Sequence, residues 1–484
     1  MFKTRSAEAM IAQKSMAVTI IFVKPVVSQS ENVVRLSTID QIMPRKYMAS
    51  LFCFRRNEST SPDLLAAQLR KGLGAALAEA PHFAGEIQPA PGQRNELQLY
   101  TGPESDVLFR DCRQWTGANY DELVDAHFPT SLLPDDDLLV PTENTATESG
   151  GIRSLVIQAN FIPGGLLLAV QVHHSLTDAK GSELFFSSWS RHTRTQCQGR
   201  PVDLKPFDEQ ALERWRLSYG SKKGKVEEFP EFREGPGQQR TTAGPEEKTG
   251  TVIPSIWQIS PEQLDDLKNF ASARASSAMH VSKAEAIAAL LCCHIYRARY
   301  GHGSNPEHRA SSVTLYVASD IRSRLEPPLP PDYLGNASVI VPVPIPLTID
   351  QLCSARDDAV LNDIAATIQR AVIGYDTTAV RQRIGFYNSQ LAIGSRRPNL
   401  NYWPGPNMLI ADTSELDTYS LDWGSSLGQI DAFRTIGTSV STGSCSVHPR
   451  LRDGRIEIFL RHEKRVIEAM RMSKELSRFA RFVC

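Results

Sequence analysis

The stretch LLLAVQVHHSLTDAKG, residues 166–181, decides how the rest of the chain is interpreted. Its opening residues are apolar except for one glutamine, which predicts a buried strand. The strand ends at His173 and His174, and Asp178 follows four residues after the second histidine. Because side chains alternate between the two faces of a strand, only one of the histidines can face a cleft. The stretch therefore predicts a strand end that presents a single imidazole.

Spacing alone leaves three interpretations of His174 open. In the first, the ring is a polar core side chain that a backbone carbonyl satisfies. In the second it is a general base, and in the third it is a metal ligand. An imidazole with a reference pKa of about 6.5 suits proton abstraction near neutral pH. If a tight turn follows, Asp178 can fix the tautomer of the ring or anchor the turn to an arginine. No further ligands lie at a metal-binding spacing nearby, so no metal site is predicted.

The segments around this motif predict its local structure. Residues 154–162 and 166–174 flank Pro163-Gly164-Gly165, which is a hairpin signal. The pattern after Asp178 becomes helical. The motif is thus expected where a hairpin passes into a helix.

Several other elements have clear start and stop signals. We expect a strand at 48–55, a helix at 62–77 capped by Ser61, a solvated acidic loop at 131–141, and capping boxes at Ser260–Gln263 and Ser282–Glu285. Residues 16–23 alternate in a way that favours a buried first strand. They are also fewer than the roughly 20 residues that a membrane-spanning helix needs.

The length of the chain predicts more than one domain. At 484 residues it exceeds the size of a single hydrophobic core. Residues 219–250 are rich in Gly, Lys, Glu and Pro and lack apolar periodicity, so they read as an exposed crossover. We therefore expect domains at 1–218 and 251–484. Both mix helices and strands without a regular βαβ rhythm, which predicts the mixed α/β class.

Composition excludes several functions. The net charge of −1 offers no electrostatic basis for binding nucleic acid or an anionic membrane. The eight cysteines form no Cys-x-x-Cys pair, so neither a zinc ribbon nor a thioredoxin-type site is expected. A long chain without a disulfide pattern fits a reducing compartment. We expect a cytoplasmic protein.

One competing motif lies near the C-terminus. Residues 424–428, GSSLG, match the G-x-S-x-G pattern of serine hydrolases, with Ser426 as nucleophile. Asp453 and His462 follow in a permissible order. The approach to the serine, DTYSLDWG, lacks the apolar strand that such an elbow requires. Phosphate-binding and dinucleotide-binding glycine motifs are absent, so no nucleotide cofactor is predicted.

Six landmarks in order resemble the BAHD acyltransferase family, and most of all its fungal branch around trichothecene 3-O-acetyltransferases. They are LSTIDQIMPRKY (36–47), LAEAPHFAGEI (77–87), HSLTD (174–178), SKAEAIAALLCCHIYRAR (282–299), SDIRSRLEPPLPPDYLGNAS (319–338) and LDWGSSLG (421–428). The resemblance spans nearly the whole chain.

The resemblance implies two similarly folded domains of the chloramphenicol-acetyltransferase type, with an active-site channel between them. His174 would be the general base that deprotonates an acceptor hydroxyl for direct attack on acyl-CoA, with acetyl-CoA as the default co-substrate. Asp178 would pair with Arg322 and hold the turn in shape. Asp422 and Gly424 would support the fold or the CoA side. The expected protein is a monomer that acts on a fungal secondary metabolite and holds no permanent cofactor.

This sequence departs from the family in its second motif. Trp423 stands where relatives have phenylalanine, Ser425 replaces a tryptophan, and the second glycine is delayed to Gly428. The departures leave the base unchanged and leave the residues that contact CoA unassigned.

Two alternatives share the predicted fold. One is a stand-alone condensation-type domain that takes acyl groups from a carrier protein. The other is a non-catalytic relative that binds a metabolite without acylating it. The landmarks at 319–338 and 421–428 disfavour the first, and an intact His174 and Asp178 disfavour the second.

Overall fold

The structure, a computed structural model, describes residues 18–92, 95–113, 115, 117–221, 228–229, 232–233, 251–273, 281–301, 311–354, 357–389, 397–398, 405–437 and 441–484. The described chain divides into two compact units. The first unit draws on Met1–Trp215, Asp332–Asn336 and Asp417–Ser439, and the second on Arg216–Pro331, Ala337–Leu416 and Val440–Cys484. Most of the predicted crossover at 219–250 lies outside the described residues. The predicted domain ranges stay predictions.

The first unit contains two sheets. Its strands are β1 (Val18–Val23), β2 (Asn32–Arg35), β3 (Tyr47–Arg55), β4 (Glu86–Pro89), β5 (Leu97–Thr101), β6 (Val107–Cys112), β7 (Ile152–Arg153), β8 (Leu155–Ile162), β9 (Gly165–His173) and β16 (Ala432–Ile436). The larger sheet has the order β1-β6-β8-β9-β3-β16, and the smaller has the order β2-β5-β4-β7. Only the β6–β8 pair of the larger sheet is parallel. Strands β8 and β9 are buried throughout, as their continuous apolar runs predict.

The described helices of the first unit are α1 (Thr38–Ile42), α2 (Pro62–Glu79), α3 (Tyr120–Asp125), α4 (Asp135–Leu138), α5 (Ala179–Cys197) and α6 (Glu209–Leu212). Ser61 caps α2 by accepting from the amide of Leu64, as predicted. Helices α2 and α5 pack against each other, and the Trp189 indole donates to the Leu69 carbonyl at 2.9 Å. A side chain at Gly72 would come within 2.4 Å of Thr193, so this glycine permits the close approach.

The second unit has a seven-stranded sheet and a two-stranded ladder. Its strands are β10 (Phe232–Arg233), β11 (Val252–Ile259), β12 (Ser312–Asp320), β13 (Ser338–Thr348), β14 (Arg397–Pro398), β15 (Met408–Asp412), β17 (Ser444–Val447), β18 (Ile456–Glu463) and β19 (Arg481–Phe482). The large sheet has the order β13-β12-β15-β17-β18-β11-β19, and β10 pairs with β14.

The described helices of the second unit are α7 (Pro261–Ser272), α8 (Lys283–Tyr300), α9 (Ile349–Ser354), α10 (Asp357–Ile373), α11 (Thr377–Asn388), α12 (Lys464–Arg471) and α13 (Lys474–Ser477). Both predicted capping boxes are present, because Ser260 and Ser282 exchange hydrogen bonds with Gln263 and Glu285. Helix α8 is buried along most of its length and contacts α7, α9, α10 and α12. The mixed α/β class is confirmed in both units.

Two local expectations were wrong in part. The first strand forms, but among the described strands it pairs only with β6, at the edge of the sheet, and Ile20 and Phe22 are about half exposed (51% and 52%). The acidic segment at 131–141 is solvated at its three aspartates, as expected, but it is not a plain loop, because Asp135–Leu138 forms a helical turn that buries Leu138. In both places neighbouring chain segments, rather than local pattern, decided burial.

The chain also crosses back between the units. Residues of Asp417–Ser439, which carry the Asp-Trp-Gly motif, belong to the first unit rather than to the second half of the chain. The cause is strand β16, which extends the first sheet by pairing antiparallel with β3.

Among the described helices, none is both long enough and apolar enough to cross a bilayer.

Candidate active site

The two histidines at the end of β9 have different environments. The His173 ring is 1% exposed and packs edge-on against Tyr47, with ring centroids 5.5 Å apart. Its Nδ1 accepts a hydrogen bond from the amide of Ser175 at 3.2 Å. Burial lowers the pKa of His173 to about 3. His173 is therefore a neutral core histidine.

His174 is half-buried, unlike His173. Its amide donates to the Lys46 carbonyl at 2.9 Å, and its Nδ1 lies 3.3 Å from the Thr177 carbonyl oxygen. A carbonyl can only accept, so the hydrogen bond places the proton on Nδ1 and leaves the lone pair on Nε2. Burial lowers the pKa of His174, although hydrogen bonds to backbone carbonyls and the charge of Asp178 oppose the shift. The ring is therefore neutral, and able to act as a base, at neutral pH.

Asp178 begins the helix that follows. Its carboxylate is 4% exposed and accepts from the amide of Gly181 at 3.0 Å, so it is the N-cap of α5. The carbonyl of Thr177, rather than this carboxylate, is the hydrogen-bond acceptor for the ring of His174. Arg322 lies in the second unit, 5% exposed, and bonds Asp320 at 3.2 Å. Its predicted pairing with Asp178 would join the two units and stays a prediction.

A buried ion pair lies beneath the histidine turn. Asp40 is fully buried in α1, and its carboxylate accepts from both the backbone N–H and the side-chain amide of Asn336, at 3.1 and 2.8 Å. Arg214 Nη1 lies 3.3 Å from both Asp40 oxygens and 2.8 Å from the Leu176 carbonyl. Asn336 also donates from Nδ2 to the His174 carbonyl at 2.8 Å. We call Asp40, Arg214 and Asn336 the carbonyl clamp, because together they hold two carbonyls of the turn.

Sequence reasoning missed the carbonyl clamp. Two of its members lie in landmark segments, Asp40 at 36–47 and Asn336 at 319–338. Asp40 was recognisable as the third helical residue of a capping box with Ser37. Arg214 has no local signal.

The second motif lies at the other end of α5 from His174. The Gly424 turn packs on the last turn of the helix, where a side chain at Gly424 would come within 2.8 Å of Cys197 Sγ. Asp422 accepts from the Gly424 amide at 2.9 Å and pairs with Arg194 at 3.3 Å. A helix of 19 residues is about 28 Å long, so this motif is remote from His174. Its effect on the site is therefore indirect.

Trp423 of this motif is a core residue of the first unit. Its side chain is fully buried and packs against Trp189 and Phe54, with ring centroids 5.1 and 5.5 Å away. The larger aromatic side chain at this position is therefore accommodated by the core of the first unit.

Ser426 lacks the environment of a hydrolase nucleophile. It is 5% exposed, its hydroxyl donates to the Gln68 side chain at 2.9 Å, and Cys197 lies 3.6 Å away. His462 uses Nδ1 to accept from the adjacent amide of Glu463. Within the described chain, no three His, Cys, Asp or Glu side chains are placed to hold a metal ion.

Comparison with known proteins identifies the family. Residues 16–427 match the model of the Transferase family, which comprises the BAHD acyltransferases. The chain belongs to the BAHD acyltransferase family. It is therefore an acyltransferase.

Fungal enzymes are among the named relatives of this BAHD chain. The chain is 30% identical to Acyltransferase easC from Emericella nidulans over 95% of its length and 97% of that protein. It is 27% identical to Eremophilane O-acetyltransferase prx11 from Penicillium rubens, over 92% and 98% of the two chains.

Solved structures share the BAHD fold of this chain. TRI101 of Fusarium sporotrichioides, crystallised with coenzyme A and T-2, matches with a TM-score of 0.74 at 16% identity, over 94% of this chain and all of that one. Vinorine synthase matches with a TM-score of 0.63 at 17% identity, over 96% and 98% of the two chains. These likenesses confirm the two-domain BAHD fold class.

Proposed function

We propose that the protein is an acyl-CoA-dependent O-acyltransferase, with acetyl as the default acyl group, that acts on a hydroxyl of a fungal secondary metabolite. The observation that carries the proposal is the hydrogen bond from His174 Nδ1 to the Thr177 carbonyl, because it leaves the Nε2 lone pair available in a half-buried ring. Support for the substrates comes from a relative named as an eremophilane O-acetyltransferase and from TRI101 structures with coenzyme A.

The proposed reaction has one base and no covalent enzyme intermediate. His174 Nε2 accepts the proton of the acceptor hydroxyl while its oxygen attacks the thioester carbonyl of acyl-CoA. The tetrahedral intermediate collapses with cleavage of the C–S bond. The imidazolium returns the proton to the departing CoA thiolate, so the products are the ester and free CoA.

The remaining predicted residues support this site. Asp178 caps α5, and we expect it to pair with Arg322. Asp422 and Gly424 hold the far end of the same helix. We expect Asp178→Asn to lower both the melting temperature and the turnover. The protein is also proposed to be a cytoplasmic monomer, which size-exclusion chromatography and a fluorescent fusion test.

The decisive experiment measures release of free CoA from acetyl-CoA with a thiol reagent. The acceptor panel contains deoxynivalenol, T-2 mycotoxin, an eremophilane alcohol and a fungal metabolite extract, and mass spectrometry identifies products heavier by one acetyl group. His174→Ala should lose at least about 100-fold in turnover. Ser426→Ala is the matched control and should retain it. Full activity in His174→Ala rejects the assignment of the base.

The same assay separates the alternatives. Turnover of free acetyl-CoA excludes an obligate carrier-protein donor, as in condensation-type domains. Binding of an acceptor without any product would instead favour a non-catalytic relative.

A further inference from the structure

We propose that Asn336 is a positioning residue for His174, acting through the main-chain carbonyl of the histidine rather than through its ring. The inference rests on the proposed function, because it concerns the same base. Asn336 is fully buried and belongs to the first unit, although it lies 162 residues after His174.

The orientation of the Asn336 side chain is fixed by its partners. Its Nδ2 lies 2.8 Å from the Asp40 carboxylate and 2.8 Å from the His174 carbonyl oxygen. Both partners only accept hydrogen bonds, so the amide nitrogen must occupy this place and a flipped amide would lose both bonds. The backbone amide of Asn336 donates to Asp40 as well, at 3.1 Å. One buried carboxylate thus fixes the residue at two points.

Asp40 is itself held in place. Its backbone amide donates to the Ser37 hydroxyl at 3.0 Å, and the Ser37 amide donates to its carboxylate at 2.9 Å. These two hydrogen bonds fix both the backbone and the side chain of Asp40. Arg214 provides the balancing positive charge, with its side chain 2% exposed. The donor that reaches His174 is therefore anchored to a rigid, charge-balanced group rather than to a mobile loop.

The position of the His174 carbonyl affects the position of the ring, because both belong to the same short turn. The next hydrogen bond along the chain runs from the Ser175 amide to His173 Nδ1 at 3.2 Å. The Leu176 amide then donates to the His173 carbonyl at 2.8 Å, and Arg214 donates to the Leu176 carbonyl. The ring of His174 then bonds the Thr177 carbonyl within the same turn. Without the Asn336 donor, the peptide plane after His174 keeps the hydrogen bond from its Ser175 amide to His173 Nδ1 but loses the one at its carbonyl end. The carbonyl can then tilt about the remaining bond, and we expect the ring to shift with it. A displacement of about 1 Å at a reacting group can cost about 100-fold in rate.

Asn336→Ala tests the proposal, with Asn160→Ala as the matched control. Asn160 is also a buried asparagine of the first unit, 3% exposed, whose Nδ2 lies 3.3 and 3.2 Å from two backbone carbonyls, those of Leu138 and Leu167. It has no contact with the histidine turn. Both variants lose a buried amide, and only one loses the tether to His174.

Two measurements are made on the folded fraction of the full-length protein. With acetyl-CoA and the best acceptor of the panel, Asn336→Ala should lower kcat about 10- to 100-fold and leave the KM for acetyl-CoA within about two-fold. Hydrogen–deuterium exchange needs no acceptor, and the peptide covering 170–182 should exchange faster in Asn336→Ala alone. If that variant fails to fold, Asn336→Ser replaces it, since a hydroxyl has a single proton and the charged Asp40 carboxylate is a stronger acceptor than the His174 carbonyl.

The outcomes separate this inference from the proposed function. Loss of activity in His174→Ala with an unchanged kcat in Asn336→Ala overturns the positioning role alone. Unchanged exchange in 170–182 overturns it as well. An equal loss of kcat in Asn160→Ala would show a general effect of core disruption and would also overturn it. Full activity in His174→Ala overturns the proposed function.

Discussion

Replacing Asp40 by asparagine should destabilise the first unit far more than a comparable change at the surface. Asp40 is fully buried and the side chain of its partner Arg214 is 2% exposed, so the variant leaves a buried guanidinium without its counter-charge. One carboxylate oxygen faces Asn336 and Arg214, and the other faces Ser37 and Arg214. Whichever way the new amide turns, its NH2 group meets a donor.

The size of the effect follows from this burial. Removing one partner of a buried ion pair costs about 3–5 kcal/mol. For a unit of this size, each kcal/mol lowers the melting temperature by about 2–4 °C, so Asp40→Asn should lower it by about 6–20 °C. The control is Glu104→Gln, which breaks an ion pair with Lys24. The side chains of Glu104 and Lys24 are 88% and 48% exposed. Exposed pairs contribute about 0–1 kcal/mol, so the control should change little.

The assay is thermal unfolding followed by circular dichroism, with both variants at the same protein concentration and pH. The transition that shifts in Asp40→Asn should be that of the first unit, which limited proteolysis with mass spectrometry can assign. A shift no larger than that of Glu104→Gln would refute the view that the buried pair stabilises the histidine turn.

Three further predictions concern other parts of the first unit. Gly424→Ala should lower the melting temperature more than Gly199→Ala, because both glycines have positive φ (+92° and +62°) but only the first would clash with Cys197; equal losses would contradict this. Burial alone would raise the pKa of Glu79, but hydrogen bonds to the carboxylate outweigh it and lower the pKa to about 2 from 4.5. The stability that Glu79 contributes is therefore present above pH 4.5 and is lost as the pH falls toward 2, and Glu79→Gln should flatten that part of a stability–pH curve. Because the pKa of His174 lies below its ordinary value of 6.5, kcat/KM should stay above half its maximum at pH 6.5, and half-loss at or above that pH would contradict the assignment.

Local sequence signals predicted the surroundings of the base well. The Pro163-Gly164-Gly165 hairpin, the capped helix at 62–77 and the helix after Asp178 all form where they were expected. Each depends on residues a few positions apart, through turn geometry, capping or strand alternation. The first strand was placed correctly and its burial was not, because exposure depends on which strands lie beside it.

What the sequence by itself determined is the identity and the local frame of the candidate base: a strand that ends at His173 and His174, and a helix that Asp178 caps. Only the tertiary structure decided what holds that frame in place. Asp40 meets Arg214 from 174 residues away and Asn336 from 296 residues away, and β16 joins β3 from the far end of the chain. Such contacts leave no periodic trace, because they arise from packing between distant segments and not from the conformational preferences of neighbouring residues.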